Sequence, residues 1–265
     1  MTPTTPSWTK IRRTTRTNAA NSHGPHRAYV PELAQSGEME ITGDEAHHIT
    51  RVKRLGVGDR IVVFDGSGRE AEAAIVEVAA DQVVVRVEQP HEADREAGVA
   101  ITLACAIPKG KRAEFMIQKC AELGVHTFIP IECYRSVVNI HTRTDTKLAK
   151  WERICAEASK QSGRNRVMQV RPPHELADVL RLVPKHRLSL IATPWEDAAP
   201  LRSVLDAAGA VGSVLYLVGP EGGFTRTEIA EATRAGCKAV SLGASVLRTE
   251  TAAVAGVAML IYAAS

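Results

Sequence analysis

The sequence predicts an α/β fold in which a small β-rich domain precedes a parallel sheet with helices on both faces. Residues 96–265 alternate short apolar runs with helical segments, and this alternation is typical of a parallel sheet. Residues 27–95 instead contain several short, β-branched runs separated by turn residues. Two loops near the C-terminus, each between an apolar run and a helix, form the most distinctive pattern of the chain.

Residues 1–26 are expected to be a disordered, basic extension, because they are rich in Thr, Asn, Ser and Arg and lack apolar periodicity. An organellar transit peptide and a passive tail are alternative interpretations of this composition. The chain carries a net charge of +3, but residues 1–27 hold five basic residues and no acidic one, so residues 28–265 carry −2. Binding of nucleic acid by the folded part would therefore depend on local basic clusters.

In the β-rich domain, residues 27–95, DEAHHITRVKRLG is expected to form one short helix that ends at Gly56. The runs RIVVFD, EAAIVEV and QVVVRVEQ are expected strands, with turns at residues 66–68 and 79–81. The polar segment HEADREAG, residues 91–98, is a plausible linker to the second domain.

Residues 96–265 continue as strands alternating with helices. The expected strands are ITLACAI, TFIPIEC, LSLIAT, SVLYLV and KAVSLG. The expected helices are KRAEFMIQKCAEL, ending at Gly124, and the segments 144–161, 175–183, 200–208, 225–235 and 251–264. Thr225 and Glu228 fit a capping box, and Gly236 ends that helix. The last helix is apolar but too short to span a bilayer, so we expect it in the core.

The two distinctive loops lie in LYLVGPEGGFTRTE, residues 215–228, and LGASVLRTETAA, residues 242–253. Gly219, Gly222 and Gly223 allow a sharp turn and a close approach of backbone N–H groups to a ligand. Ligands in open parallel sheets bind at the carboxyl ends of the strands. We therefore expect the two loops, at the ends of adjacent strands, to hold one small molecule between them.

An ordinary turn between a strand and a helix is the alternative interpretation of these glycines. The sequence lacks GxGxxG and GxxxxGK[ST], so neither common phosphate-binding loop accounts for them. Arg248 and Glu250 also precede an otherwise apolar helix, where charged groups need partners. Both features favour a functional pair of loops.

The five cysteines form no CxxC pair and are odd in number, which favours reduced thiols in a cytoplasmic protein over disulfides or a zinc site. His47 and His48 are adjacent on the expected helix and make a poor metal pair, so we expect no metal. No secretory signal or membrane-spanning segment is evident.

The two loops resemble the cofactor loops of the SPOUT methyltransferases, which bind S-adenosylmethionine in a trefoil knot. VGPEGGFTRTE together with LGASVLRTETAA resembles more narrowly the RsmE family, the 16S rRNA (uracil N3) methyltransferases. Three further segments match that family: HHITRVKRLGVGD, PKGKRAEFMIQKCAELGV and SGRNRV. The resemblance implies a PUA-like barrel over residues 27–95, a knotted SPOUT domain over residues 96–265, and a homodimer.

The resemblance also implies the site residues. The cofactor-binding set comprises Thr193, Leu217, Gly219, Pro220, Glu221, Gly222, Gly223, Leu242, Gly243, Val246, Leu247 and Thr251. The RNA-binding set comprises Arg27, Arg51, Lys53, Arg54, Lys109, Lys111, Arg112, Gln118, Lys119, Arg135, Arg164 and Arg166. For the basic clusters, a solvated surface or compensation of a helix dipole is the alternative interpretation.

The implied reaction is transfer of a methyl group from S-adenosylmethionine to N3 of a uridine in 16S rRNA of the small ribosomal subunit. Arg248 would stabilise negative charge that develops on a uracil carbonyl oxygen. Glu250 is a candidate base for the N3 proton, or alternatively only orients Arg248. Two other functions stay open: a SPOUT methyltransferase that acts on a ribose 2′-hydroxyl of tRNA or rRNA, and a non-catalytic RNA-binding assembly factor.

Overall fold

The structure is a computed structural model that describes residues 25–93, 95–138, 140, 142, 144–195 and 197–265. Most of the basic extension that the sequence predicts over residues 1–26 lies outside the described residues. Two sheets organise the described part of the chain, one in each of the predicted regions.

The first sheet is a curled, mainly antiparallel sheet with the order β1-β3-β4-β5-β2, in which β6 also pairs with β4. Its strands are β1 (Arg27–Tyr29), β2 (Gly37–Thr42), β3 (Arg60–Phe64), β4 (Arg69–Val78), β5 (Gln82–Val87) and β6 (His91–Glu92). β-Branched and small residues on one face, such as Ile61, Val63, Ala73 and Val85, form its core. This confirms the three expected strands, and β6 shows that the expected linker begins as part of the sheet.

Two details of this region differ from the sequence prediction. The expected helix is shorter: α1 (Gly43–His47) runs into a π-helical turn over His48–Val52. Arg54 has a left-handed φ of 55°, and the Gly56 N–H donates to Asp59 Oδ2, so Gly56 belongs to the turn before β3. The sequence also gave no signal for β2, because only Ile41 of its side chains is buried.

The second sheet has eight strands, all parallel, in the order β10-β8-β7-β13-β11-β14-β12, and β9 also pairs with β8. Its strands are β7 (Ala100–Ala106), β8 (Thr127–Glu132), β9 (Gln169–Val170), β10 (His174–Glu175), β11 (Leu188–Ala192), β12 (Ala199–Pro200), β13 (Ser213–Val218) and β14 (Lys238–Ser241). The predicted parallel sheet is confirmed.

Helices pack on both faces of this sheet. They are α2 (Lys111–Leu123), α3 (Thr144–Ser162), α4 (Leu176–Leu180), α5 (Leu201–Ala208), α6 (Arg226–Ala235) and α7 (Thr249–Ala264). The capping box of Thr225 and Glu228 and the left-handed glycine stops at Gly124 and Gly236 are confirmed. The expected helix over residues 175–183 is shorter, since α4 ends at Leu180 and a separate 3-10 turn covers Val183–Lys185. No helix of the described residues is both long and apolar enough to cross a membrane.

The C-terminal segment returns to the middle of the sheet. β14 pairs with β11, and the helix that follows, α7, packs against β13 and β7 on the other side of β11. The trefoil knot that the resemblance implies stays a prediction. The buried Tyr216 of β13 donates from its hydroxyl to the Ala252 carbonyl of α7 at 3.0 Å, which fixes the returning helix on the sheet.

The packing of α7 predicts the effect of Gly256→Ala. A Cβ at position 256 would overlap the hydroxyl and ring of Tyr216, which is fully buried. Overpacking of this kind costs about 1–3 kcal/mol, against about 1 kcal/mol that alanine gains in helix propensity. We expect a lower free energy of unfolding in urea titrations. Gly212→Ala, at a site with open space around it, is the control, and a stabilised Gly256→Ala variant would contradict the close contact.

Candidate active site

The carboxyl ends of β11, β13 and β14 enclose a cavity of about 220 Å³. The sequence analysis placed two loops at the ends of adjacent strands, and this is wrong in one respect. β11 lies between β13 and β14, so the segment that follows β11 forms a third wall. The residues that line the cavity include Thr193, Pro194 and Trp195 from the segment after β11.

The conformation of the loop after β13 requires glycine at two positions. Gly223 has a left-handed φ of 68°, a conformation that a side chain disfavours. At Gly219, a Cβ would lie 3.0 Å from the ring of Phe224, which is buried under the loop. The Thr249 hydroxyl donates to the Gly219 carbonyl at 3.0 Å, so the start of α7 is fastened to this loop.

The structure brings most of the predicted cofactor residues together. Those that line the cavity are Thr193, Gly219, Pro220, Glu221, Gly222, Gly223, Leu242, Gly243, Val246 and Leu247. Leu217 does not line it, because its side chain is buried in the core cluster that contains Phe224. Thr251 does not line it either, and its side chain is exposed on α7.

Trp195 is a cavity residue that the sequence analysis missed. The Arg226 guanidinium lies 3.7 Å from the centre of its ring, and Asp197 pairs with Arg226 at 3.1 Å. An attractive cation–π contact and an ion pair therefore hold the indole at the cavity wall. A tryptophan directly after an apolar strand run was the available signal.

Arg248 and Glu250 lie in different environments. Arg248 is the N-cap residue of α7 and its side chain is exposed. Glu250 is 8% exposed, and its recorded ion pair is with Arg112, at 3.8 Å, instead of with Arg248. Arg112 also donates to Glu221 at 3.2 Å. The idea that Glu250 orients Arg248 therefore finds no support in the contacts of the carboxylate.

The end of β8 is attached to the same edge. The Tyr134 N–H donates to Glu228 Oε1 at 2.8 Å, and Glu228 also caps α6. Arg135 donates from Nη1 to the Gly222 carbonyl at 2.8 Å. Arg135 thus touches the cavity loop directly, while the ring of Tyr134, which the sequence analysis did not single out, is 86% exposed beside it.

Several predicted RNA-binding residues are exposed, as contact with a phosphate requires: Arg51, Lys53, Arg54, Lys109, Lys111, Gln118, Arg135 and Arg166. Lys119 is half-buried and pairs with Glu122 at 2.7 Å. Two other predictions are corrected, because Arg27 and Arg164 are buried in ion pairs with Glu70 and Glu96. Their charges are neutralised inside the protein and do not face solvent.

The buried ion pairs belong to a joint between the two sheets, built by SGRNRV. Asn165 is fully buried, and its side-chain amide donates to the carbonyls of Gly68 and Ala93, both at 2.8 Å. Arg164 donates to the Ala121 carbonyl, and Arg27 to the Arg164 carbonyl. The motif thus links the two sheets. Its basic residues had suggested contact with RNA instead.

Glu70 of the joint stays charged although it is buried. Burial alone would raise the pKa of Glu70, but hydrogen bonds from Arg95 and Arg27 hold it below the usual value for a glutamate. On the other side of the joint, Lys160 of α3 pairs with Glu45 of α1 at 2.7 Å. The orientation of the first sheet relative to the second is therefore set by buried polar contacts.

Comparison with known proteins identifies relatives of both regions. A family model described as an RNA methyltransferase domain matches residues 95–261, and one described as an RNA methyltransferase PUA domain matches residues 41–88. A protein of Bacillus subtilis named ribosomal RNA small subunit methyltransferase E is 31% identical over 236 residues, which cover 87% of this chain and 92% of the relative. A Mycobacterium tuberculosis protein of the same name is 33% identical over 232 residues, 85% of this chain and 87% of the relative.

Solved structures agree. A methyltransferase of Legionella pneumophila in complex with S-adenosylmethionine has a TM-score of 0.83 at 34% identity, over 91% of this chain and 98% of that chain. Ribosomal RNA small subunit methyltransferase E of Neisseria gonorrhoeae, also bound to S-adenosylmethionine, has a TM-score of 0.81 at 33% identity, over 90% of this chain and 97% of that chain.

The joint predicts a stability effect of Asn165→Ala. The substitution removes the side-chain amide that donates to the Ala93 carbonyl, while the Gly68 carbonyl keeps the backbone N–H of Ala93 at 3.3 Å. Leaving a buried polar group unsatisfied costs about 1–3 kcal/mol. We expect a loss of that order in the free energy of unfolding, measured by urea titration. Gln169→Ala, at an exposed position of the same segment, should change little; equal stability of both variants would contradict the assigned role of Asn165.

Proposed function

Because the chain belongs to the RNA methyltransferase family that includes the ribosomal RNA small subunit methyltransferases E, we propose that it methylates N3 of a specific uridine in 16S rRNA, with S-adenosylmethionine as methyl donor. The observation that carries the proposal is the cavity at the ends of β11, β13 and β14. Residues 27–95 serve as a PUA-like RNA-binding domain and residues 96–265 as the SPOUT methyltransferase domain, with residues 1–26 as a basic extension.

The cavity residues fit the cofactor. Glycine-rich backbone lines one wall and supplies N–H and C=O groups, while Trp195, Leu242 and Val246 supply apolar surface. Glu221 adds a carboxylate at the rim, which suits a positively charged ligand. When bound, S-adenosylmethionine supplies a methyl group already activated by a positively charged sulfur, so the task left to the protein is mainly to orient the two reactants.

The chain's own groups then act on the uracil. N3 carries a proton that must leave, and negative charge develops on the flanking carbonyl oxygens. Arg248, exposed at the N-terminus of α7 next to the cavity loop, is placed to stabilise that charge. Glu250 is a candidate acceptor of the proton, since its Oε2 is buried and accepts no hydrogen bond from the residues that the structure describes.

The exposed basic residues provide the RNA-binding surface. Lys109, Lys111 and Arg135 follow β7 and β8, whose carboxyl ends lie at the same edge of the sheet as the cavity. Arg51, Lys53 and Arg54 extend positive charge onto the first domain. N3 lies on the pairing face of uracil, so the target base must be unpaired or flipped out. The substrate is 16S rRNA within the small ribosomal subunit, and the protein acts in the cytoplasm.

A homodimer is supported by the C-terminal helix. A second cavity, of about 460 Å³, lies between α5 and the end of α7 and is lined by apolar residues that include Leu201, Leu205 and Met259. Tyr262, beside it, is 85% exposed. Exposed apolar surface of this kind is typical of an interface with another copy.

Within the described residues, no group of three or more His, Cys, Asp or Glu side chains forms a metal site.

Nucleoside mass spectrometry tests the reaction. Unmethylated small subunits incubated with the protein and S-adenosylmethionine should yield 3-methyluridine in 16S rRNA. A methylated ribose or another methylated base would contradict the proposed target and favour another SPOUT activity. Absence of both methyl transfer and cofactor binding would favour an RNA-binding assembly factor, whose RNA affinity would fall steeply with salt.

Arg248→Ala tests the catalytic assignment. We expect cofactor affinity close to that of the wild type and a turnover number lower by about 10²–10³, as for loss of a donor that stabilises charge in the transition state. Isothermal titration calorimetry and a methyl-transfer assay measure the two quantities. Arg181→Ala, at an exposed arginine on α4's end, is the control for loss of a surface charge. Weak cofactor binding by the Arg248 variant would assign Arg248 to the cofactor loop instead.

A further inference from the structure

Arg112 joins three elements at the edge of the active site. It lies in the first turn of α2, directly after β7, and its side chain is 38% exposed. Its Nη2 donates to Glu221, in the loop after β13, at 3.2 Å, and its Nη1 lies 3.8 Å from Oε1 of Glu250 in α7. One guanidinium therefore faces a carboxylate from the loop after β13 and a carboxylate from the first turn of α7.

The burial of Glu250 makes this contact important. The Glu250 side chain is 10% exposed, and its Oε2 is fully enclosed and has no hydrogen-bond donor among the described residues. An ionised carboxylate in such a place is costly unless a cation lies close to it. Arg112 is the ion-pair partner that the structure records for Glu250, so its removal would leave this carboxylate buried without compensation.

The chemistry of the side chain suits the geometry. A guanidinium is planar, always charged, and presents several donors in a fixed fork, so it can serve two carboxylates at once. A lysine ammonium is a compact point charge on a flexible stem and holds such an arrangement less firmly. The basic run PKGKR thus contains one residue, Arg112, whose contacts are unlike those of Lys109 and Lys111, both exposed.

We propose that Arg112 is a positioning residue of the cofactor site: it ties α2 to the loop after β13 through Glu221 and to the start of α7 through Glu250, and so maintains the shape of the cavity before RNA binds. This inference rests on the proposed cofactor binding and reassigns Arg112 from direct contact with RNA phosphate. Its effect falls on cofactor affinity and does not require RNA to be present.

The test is isothermal titration of S-adenosylmethionine into wild type, Arg112→Met, Arg112→Lys and Lys111→Met in the absence of RNA, with thermal melting of each. We expect Arg112→Met to weaken cofactor binding on the order of tenfold and Arg112→Lys to weaken it less. Lys111→Met removes a neighbouring charge from the same turn and should leave cofactor affinity within about twofold of wild type.

A double-variant cycle separates positioning from general destabilisation. Arg112→Met should cause a smaller further loss of cofactor affinity in the Glu221→Gln background than in the wild type, because only its contact with Glu250 is left to remove. Unchanged cofactor affinity in a folded Arg112→Met variant, together with weaker binding of small subunits like that of Lys111→Met, would overturn the proposal and return Arg112 to the RNA surface. Fully additive losses would overturn it as well. Failure of the wild type to bind the cofactor would contradict the proposed function itself.

Discussion

The parallel direction of the strands in the second sheet is the constraint on which the rest of the structure depends. All eight strands run in one direction, so the carboxyl ends of β7, β8, β13, β11 and β14 open at a single edge. Every crossover helix then begins at that edge. As a result, segments far apart in sequence, from Arg112 to Glu250, meet within contact distance, and a cavity forms without any further domain.

At this edge the polar groups bind one another across elements. Thr249 donates to the Gly219 carbonyl, Arg135 to the Gly222 carbonyl, and Glu228 accepts from Tyr134 N–H while it caps α6. These contacts fasten the loop after β13 and the helix that follows it, α6, to the start of α7 and to the segment after β8. Together they explain how a loop rich in glycine, which is costly to order, is held in one conformation.

The sequence predicted local elements well and their spatial arrangement less well. β13, the capping box at Thr225 and the glycine stop at Gly236 depend on neighbouring residues, and all three are as expected. The position of β11 between β13 and β14 depends on the pairing of strands separated by other elements, to which a local pattern is blind. Trp195 follows an apolar run, which was a local signal for it, but its place at the cavity wall depends on that pairing.

Arginine shows most clearly why a site cannot be read from residue type alone. Arg27 and Arg164 lie in basic stretches, yet their side chains are buried against Glu70 and Glu96, whereas Arg166, in the same motif, is exposed. The difference arises because the acidic partners lie far away in the sequence, so a local sequence pattern does not reveal which arginine will be paired. Each buried pair removes one positive and one negative charge from the surface, so the net charge of −2 that residues 28–265 carry is unchanged by these pairs. A positive surface therefore depends on where the exposed cations cluster, which residue type alone does not show.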